Sequence, residues 1–109
     1  MNGLLVYNTT DNADDLVLVA DGIPQSLTAI TRVKLTVNGT VIDSLITPTA
    51  ITWPQSVTYR GAAAQAIRFK LGAAALLPGI YADSRLMIFE PATPNGVVWT
   101  DGLAVRVKA

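Results

Sequence analysis

Three aspartates in one polar stretch, Asp11, Asp14 and Asp15, come nearest to the pattern of a metal site. Calcium prefers carboxylate oxygens that are gathered in this way. Their spacing differs from that of the twelve-residue calcium loop, and DNADD directly before an apolar run is typical of turns and strand ends. We therefore predict no metal site, and the sequence indicates no cofactor.

Asp83 and Glu90 are the carboxylates to consider as a general acid and base. Seven residues of extended chain separate them by roughly 23 Å and place them on opposite faces of a strand. The chain has no cysteine and no histidine, so the most common general base and metal ligand is missing. No phosphate-binding glycine loop, nucleophile elbow or zinc motif is present. We predict that the protein is not an enzyme.

Three aromatic residues, Trp53, Tyr59 and Trp99, lie near predicted turns, where flat rings could form a sugar-binding platform. The alternative is that the tryptophans fill the core or an interface. A further pair, Asp83 and Arg85, would form a buried ion pair if both side chains faced inward beneath Tyr81. If that face meets water or a neighbouring subunit, no such pair forms, and the sequence leaves both arrangements open.

The composition is low in charge. Eight Lys or Arg residues balance eight Asp or Glu residues, so no net field attracts the chain to nucleic acid or to an anionic membrane. Charged residues make up 15% of the chain and hydrophobic residues 50%, whereas soluble domains average about 25% charged. We interpret this as a surface that other subunits partly cover. The alternative is that the many alanines raise the hydrophobic fraction without forming an apolar patch.

The 109 residues predict one domain, 1–109, with a single core. No apolar run approaches the roughly 18 residues of a membrane span. The start, MNGLLVYNTTDNADD, lacks a basic region, and its apolar run Leu4–Tyr7 is too short for a signal peptide. We expect the protein to stay in the cytoplasm, or to be assembled there into a larger particle.

The clearest predicted element is a hairpin over residues 31–45. Its first strand alternates, with Val33, Leu35 and Val37 facing inward and Arg32, Lys34 and Thr36 facing outward. Asn38-Gly39 is a favoured two-residue turn, and Thr40 to Leu45 forms the return strand.

A corner follows in residues 71–81. The alanine-rich segment 72–77 predicts a short helical turn that Pro78 ends, and Gly79 is expected to take a positive φ. A long strand from Ile80 to Phe89 comes next, in which Ile80, Ala82, Ser84, Leu86 and Ile88 share one face. A leucine and Pro-Gly followed by Tyr81 are typical of the corner at which an immunoglobulin-like sandwich crosses between its sheets.

Shorter patterns complete the predicted topology. Strands are predicted at 4–7, 15–20, 50–53, 56–60, 66–71 and 97–107, with a connection at 23–29 and a flexible loop at 61–65. Asn95-Gly96 is expected to form a hairpin turn, and Asp101-Gly102 a bulge. The fold class is therefore all-β: a single antiparallel, Ig-like β-sandwich of about eight short strands.

The order of segments in residues 66–107 resembles the small Ig-like β-sandwich modules of tailed-bacteriophage virions, including the amino-terminal domains of baseplate upper proteins. The resemblance lies in an alternating strand, LGAAALLPGIY, RLMIFEP and NGVVWTDGLAVRV, and more loosely in the hairpin ITRVKLTVNGTVI. Longer family members continue into a stalk or receptor-binding region. Because this sequence ends at Ala109, a stand-alone accessory subunit is favoured over a receptor-binding protein.

The resemblance implies a structural role in a virion, most simply as a capsid decoration or cement subunit. A neck, tail or baseplate component is the first alternative, and a carbohydrate-binding adhesion module the second. The implied partners are major capsid or tail proteins of the same virion, with many copies or a homo-oligomer. We expect contacts through mobile ends and apolar loops, at Leu4, Leu5, Val6, Tyr7, Trp53, Ala62, Ala63 and Ala64.

Overall fold

The protein is all-β in a computed structural model that describes residues 3–109. Its strands are β1 (Leu4–Tyr7), β2 (Asp14–Leu16), β3 (Val19–Ala20), β4 (Ile23–Pro24), β5 (Arg32–Val37), β6 (Thr40–Asp43), β7 (Ile51–Tyr59), β8 (Ala62–Phe69), β9 (Gly79–Glu90) and β10 (Thr93–Lys108). One 3-10 turn, Gly72–Ala74, precedes β9. No helix in this part of the chain has the length and hydrophobicity to cross a membrane.

The strands form two larger sheets and one small hairpin. The first sheet has the order β1-β10-β9-β5-β6, the second the order β2-β8-β7, and β3 pairs only with β4. Neighbouring strands are antiparallel except for β1 and β10, which run parallel. The predicted all-β class is confirmed, with one parallel pair that the sequence did not predict.

One cluster of buried hydrophobic residues lies at the centre of the fold. Eight of the strands contribute to it, through residues such as Leu4, Leu16, Leu35, Ile42, Ile51, Phe69, Leu86 and Val105. Alternation sets this arrangement, since residues two apart on a strand point to the same side. Both larger sheets therefore share a single core.

The β5–β6 hairpin is confirmed in detail. Val33, Leu35 and Val37 are buried while their neighbours are half-exposed. Asn38 and Gly39 both have positive φ, at 48° and 82°, the geometry of the tight turn that Asn-Gly favours. Thr40 pairs with Val37, which fixes the register of β6.

The corner differs from the prediction in its left-handed residue. Ala75, with φ of 54°, ends the 3-10 turn in the left-handed region. Gly79 has φ of 158°, close to extended backbone, and it already pairs with Val107 as the first residue of β9. The predicted positive φ of Gly79 is confirmed and the chain bends at Pro78, but the left-handed residue that ends the short helical turn is Ala75.

In the long strand β9, the predicted alternation of faces is observed only in the second half. Ser84, Leu86 and Ile88 are buried, but Ile80 is 72% exposed. Leu103 pairs with Ser84 and Val105 with Tyr81, so β9 carries one extra residue between these pairs. Such a bulge reverses the phase of alternation, which turns Ile80 and Ala82 outward.

Three other predicted segments also need correction. The segment 61–65 is not a flexible loop, because Arg60 and Gly61 form a tight turn and Ala62 already begins β8. The segment 50–60 is one bulged strand, β7, instead of two pieces. The connection at 23–29 includes β4, which pairs with β3 across Asp21 and Gly22.

The last hairpin turns earlier than predicted. Glu90 pairs with Thr93, so the turn lies at Pro91-Ala92 instead of Asn95-Gly96. Gly96 instead sits within a bulged part of β10, with φ of 82°, and a Cβ there would lie 2.7 Å from the Phe89 ring. The predicted bulge at Asp101-Gly102 is confirmed by the extra residue of β10 between the pairs of Thr100 and Leu103.

Candidate functional site

The three aspartates of the amino-terminal stretch serve separate structural partners. Asp14 Oδ2 accepts a hydrogen bond from the Leu5 amide at 2.9 Å. Asp15 forms a two-bond ion pair with Arg68, at 2.8 and 3.0 Å, and Asp11 lies 3.5 Å from Lys70. Within residues 3–109 no group of three Asp, Glu, Cys or His side chains is placed to hold a metal ion.

The carboxylates of β9 likewise form no joint site. Asp83 is exposed in the bulged part of the strand, and Glu90 is at its far end. Arg85 is exposed and lies 3.5 Å from Asp101 across the hairpin. The buried Asp83–Arg85 pair beneath Tyr81 therefore does not form, and the alternative of a solvated face is the observed one.

The three aromatic residues considered for sugar binding lie in different surroundings. Trp53 packs against the core, and its indole N–H donates to the Ile30 carbonyl at 3.1 Å. Tyr59 lies beneath the guanidinium of Arg60, 5.3 Å from the ring centre. Trp99 packs against the core and lines a cavity of about 150 Å³ that neither of the others reaches. These rings do not line one common cavity.

The predicted interface is only partly accessible. Leu4 and Val6 are buried in the core, so the prediction is wrong for these two residues, because β1 alternates as an edge strand of the first sheet. Leu5 and Tyr7 do face solvent. Of the alanines, Ala62 and Ala63 are exposed and Ala64 is half-buried, all three within β8.

A different apolar surface lies at the opposite edge of the first sheet. Val41 in β6 is 51% exposed, and the following turn presents Leu45 and Ile46, which are 65% and 80% exposed. We call β6 together with Leu45 and Ile46 the β6 surface. The sequence signal was available in SLITP, where two large apolar residues stand next to each other before a proline and cannot both follow a strand alternation.

Asp43 holds this surface in shape. Its carboxylate accepts hydrogen bonds from Arg32, with Nε at 2.9 Å and Nη2 also bonded, and from the Leu45 amide at 3.0 Å. Its carbonyl accepts the amides of Ile46 and Thr47, at 3.1 and 2.8 Å. One buried residue therefore fixes the backbone of the turn that carries both exposed hydrophobic residues.

The charge of Asp43 is compensated. It is only 3% exposed, but the hydrogen bonds from Arg32, assisted by the Leu45 amide, lower the pKa of its carboxyl group below the usual value, against the effect of burial. Arg32 is in turn held over the Phe89 ring, 4.7 Å from its centre. The β6 surface thus contains no uncompensated charge, because its one acidic group, Asp43, forms an ion pair with Arg32.

The backbone of β6 has one open side. The Ser44 amide donates to the Val33 carbonyl at 3.0 Å, so Val33 and Ser44 form a hydrogen-bonded pair. Antiparallel pairs alternate, which makes Thr36–Val41 and Lys34–Asp43 the pairs without mutual bonds. The N–H and C=O of Val41 therefore point away from β5, and among residues 3–109 no other strand pairs with β6.

A cavity of about 310 Å³ opens beside the same strand. Its lining residues are Thr10, Thr40, Val41, Ile42, Thr47, Thr49, Ala50, Lys70, Ala73 and Ala74. The mixture of methyl groups, hydroxyl groups and one ammonium suits peptide side chains better than a phosphate or a metal ion, which need concentrated charge. The cavity extends the β6 surface.

Comparison with family models, with curated proteins and with solved structures finds no match for this chain. Its function therefore has to be inferred from its own residues and geometry.

Proposed function

We propose that the two larger sheets form an immunoglobulin-like sandwich. In chain order, the first sheet combines the hairpin strands β5 and β6 with β9 and β10, and the second combines β2, β7 and β8, which is the division of strands in such domains. The Tyr81 hydroxyl donates to the Leu77 carbonyl at 2.6 Å. A tyrosine at this corner that bonds a few residues upstream is a known feature of these sandwiches.

Within this fold, we propose that the protein is a non-enzymatic structural subunit that works by protein–protein contacts. The observation that carries the proposal is the β6 surface, where an open strand edge lies next to exposed Val41, Leu45 and Ile46. Exposed apolar side chains beside unpaired backbone groups are features of surfaces that other chains cover. The low charge of the chain agrees with such coverage.

The assembly we propose is a tailed-bacteriophage virion, with the subunit decorating or cementing the capsid. This choice rests on the resemblance of residues 66–107 to virion modules; a place in the neck, tail or baseplate is the alternative. In either case a shell or tail repeats one weak contact many times, so avidity holds the subunit.

The test is co-sedimentation of the purified protein with particles that lack it, with bound copies counted per particle. We expect saturable binding that Ile46→Ser weakens by about tenfold or more, whereas Ile80→Ser, which changes an equally apolar residue on β9, leaves it unchanged. Many equivalent sites indicate decoration, and a few copies in symmetric multiples indicate neck, tail or baseplate. Absence of binding would contradict the proposed function.

Carbohydrate binding is a second candidate, favoured by one observation only. The cavity beside Trp99 also contains the polar side chains of Gln25, Ser26 and Glu90, a combination of ring and hydrogen-bonding groups that suits a sugar. Binding on a glycan array that Trp99→Ala abolishes, while Tyr59→Ala has no effect and both variants remain folded, would promote this candidate over the structural role.

A further inference from the structure

We propose that two copies of this chain pair through their β6 edges across a twofold axis at Val41, joining two five-stranded sheets into one of ten strands. The inference rests on the proposed function, because it names a partner for the β6 surface. An isologous contact of this kind uses the same residues on both subunits.

The backbone selects Val41 as the centre. Its N–H and C=O both point away from β5, so Val41 of one copy can exchange two hydrogen bonds with Val41 of the other. An axis one residue further along would pair Val41 with Asp43, whose carbonyl already accepts the amides of Ile46 and Thr47. An axis one residue earlier would require Gly39, which has φ of 82° and is not in a strand.

Side chains and charge favour the same contact. In this register the two Val41 side chains lie directly opposite each other, where β-branched pairs stabilise a sheet. The segment 38–49 contains one charged residue, Asp43, and Arg32 neutralises it. The net charge of the whole chain is zero, so two copies do not repel each other at long range.

The other terminal strands of the two larger sheets, β1, β2 and β7, are less suited to pairing. On β1, the Leu5 amide is bonded to Asp14 and the Tyr7 carbonyl to the Thr10 hydroxyl. Strand β2 has only three residues and two of them are aspartates. Strand β7 is interrupted by Pro54 and a bulge, and it contributes none of the large exposed hydrophobic residues. Among the four terminal strands of the two larger sheets within residues 3–109, only β6 and its following turn present large hydrophobic side chains that are at least half exposed.

The experiment is sedimentation equilibrium of the full chain over a wide concentration range. We expect a monomer–dimer equilibrium that Val41→Lys weakens by at least about tenfold, because it places two ammonium groups across the axis. Val41 is half-exposed, so this variant keeps its fold, which thermal unfolding checks. The matched control is Thr58→Lys, an exposed position on β7, which should leave the dimer constant unchanged.

Amide exchange gives a second, independent measurement. At protein concentrations above the dissociation constant of the dimer, the Val41 amide should exchange at least about tenfold more slowly than at concentrations below it. The exchange rate of the Leu5 amide, which is bonded within the monomer, should not change. A chain that is monomeric at every concentration, a dimer that Thr58→Lys but not Val41→Lys dissociates, or a Val41 amide without protection would overturn the inference.

The two proposals fail in different ways. A monomer that still binds particles overturns the pairing of two copies but leaves the structural role. A dimer that Val41→Lys dissociates, and that binds no particle, supports the pairing and removes the structural role in the virion.

Discussion

The two edge strands of the five-stranded sheet, β1 and β6, differ in the hydrogen bonding of their outward backbone groups. At β1, side chains of the following segment bond to the outward backbone groups. The Asp14 carboxylate accepts a hydrogen bond from the Leu5 amide, and the Thr10 hydroxyl donates to the Tyr7 carbonyl. At β6, the N–H and C=O of Val41 point away from β5, and no other strand of residues 3–109 pairs with them. Both edges expose hydrophobic side chains, but Leu5 and Tyr7 at β1 are less exposed than Val41, Leu45 and Ile46 at β6, and polar side chains bond to the backbone of β1 alone.

This difference shows where the fold tolerates a partner. A polar side chain that bonds to an edge amide competes with any incoming strand, so a strand that pairs with β1 would have to displace the Asp14 carboxylate from the Leu5 amide. The polar residue at β6 is used differently, because Asp43 bonds to the turn behind it and to Arg32. Similar chemistry therefore closes one edge and shapes the other for contact.

The largest expected effect comes from the shared support of β6. Leu35 in β5 is fully buried and lies opposite Ile42 on one side and Leu86 on the other. We expect Leu35→Ala to destabilise the protein by about 2 to 5 kcal/mol through loss of burial and a cavity. Denaturant unfolding measures this, and Thr36→Ala on the outward face, expected within about 0.5 kcal/mol, is the control.

The same variant sharpens the comparison of the edges. Amides of β6 should lose exchange protection before those of β1, because only β6 is held in the sheet by β5. A loss of stability well under 1 kcal/mol would mean that Leu35 is not part of the core.

The second prediction removes the residue that shapes the β6 surface. Asp43→Asn should destabilise the fold by about 1 to 3 kcal/mol, because Arg32 loses its charged acceptor and the turn loses a strong one. It should also weaken association, since the Leu45 amide loses its charged acceptor, while the backbone carbonyl of residue 43 still accepts the Ile46 and Thr47 amides. Calorimetry and sedimentation of the variant measure the two effects, and unchanged association would show that the turn is not needed.

Acid should reproduce this effect in the natural protein. The pKa of Asp43 is lowered by the Arg32 hydrogen bonds, so its stabilising contribution is complete above the unfolded value of about 4 and is lost as pH falls through the lower folded value. Stability from pH 6 down to pH 2 should therefore fall less in Asp43→Asn than in the natural chain. Equal slopes would exclude Asp43 as a source of the acid sensitivity.

The sequence predicted the fold class and its local hairpin because those depend on short-range patterns. Alternation in residues 31–37 and the Asn38-Gly39 turn determine β5 and β6 without help from the rest of the chain. The phase of β9 could not be predicted in the same way. A bulge opposite β10 reverses it, and this bulge depends on the pairing of two distant segments.

The surface was predicted less well than the core. Leu4 and Val6 were assigned to an interface because a terminal apolar run looks exposed, but parallel pairing with β10 buries them. The sequence predicts Leu45 at the end of the return strand and makes no prediction for Ile46. Their exposure follows from the Asp43 turn, whose hydrogen bonds involve a cation eleven residues away that no local pattern reveals.

The smallest expected effect comes from removing the Asp14 hydrogen bond at the β1 edge. Asp14→Ala removes the acceptor of the Leu5 amide and should destabilise the protein by about 0.5 to 1.5 kcal/mol. The control, Asp11→Ala, changes an exposed carboxylate that only faces Lys70 and should have almost no effect.

Association is the sharper readout of this change. The double variant combines Asp14→Ala with Val41→Lys, which blocks the β6 edge. It should restore concentration-dependent association, because β1 then presents the free Leu5 amide beside the exposed side chains of Leu5 and Tyr7. If the double variant stays monomeric while folded, the Asp14 hydrogen bond is not what closes β1. The contrast between the edges would then lie in their exposed hydrophobic residues alone.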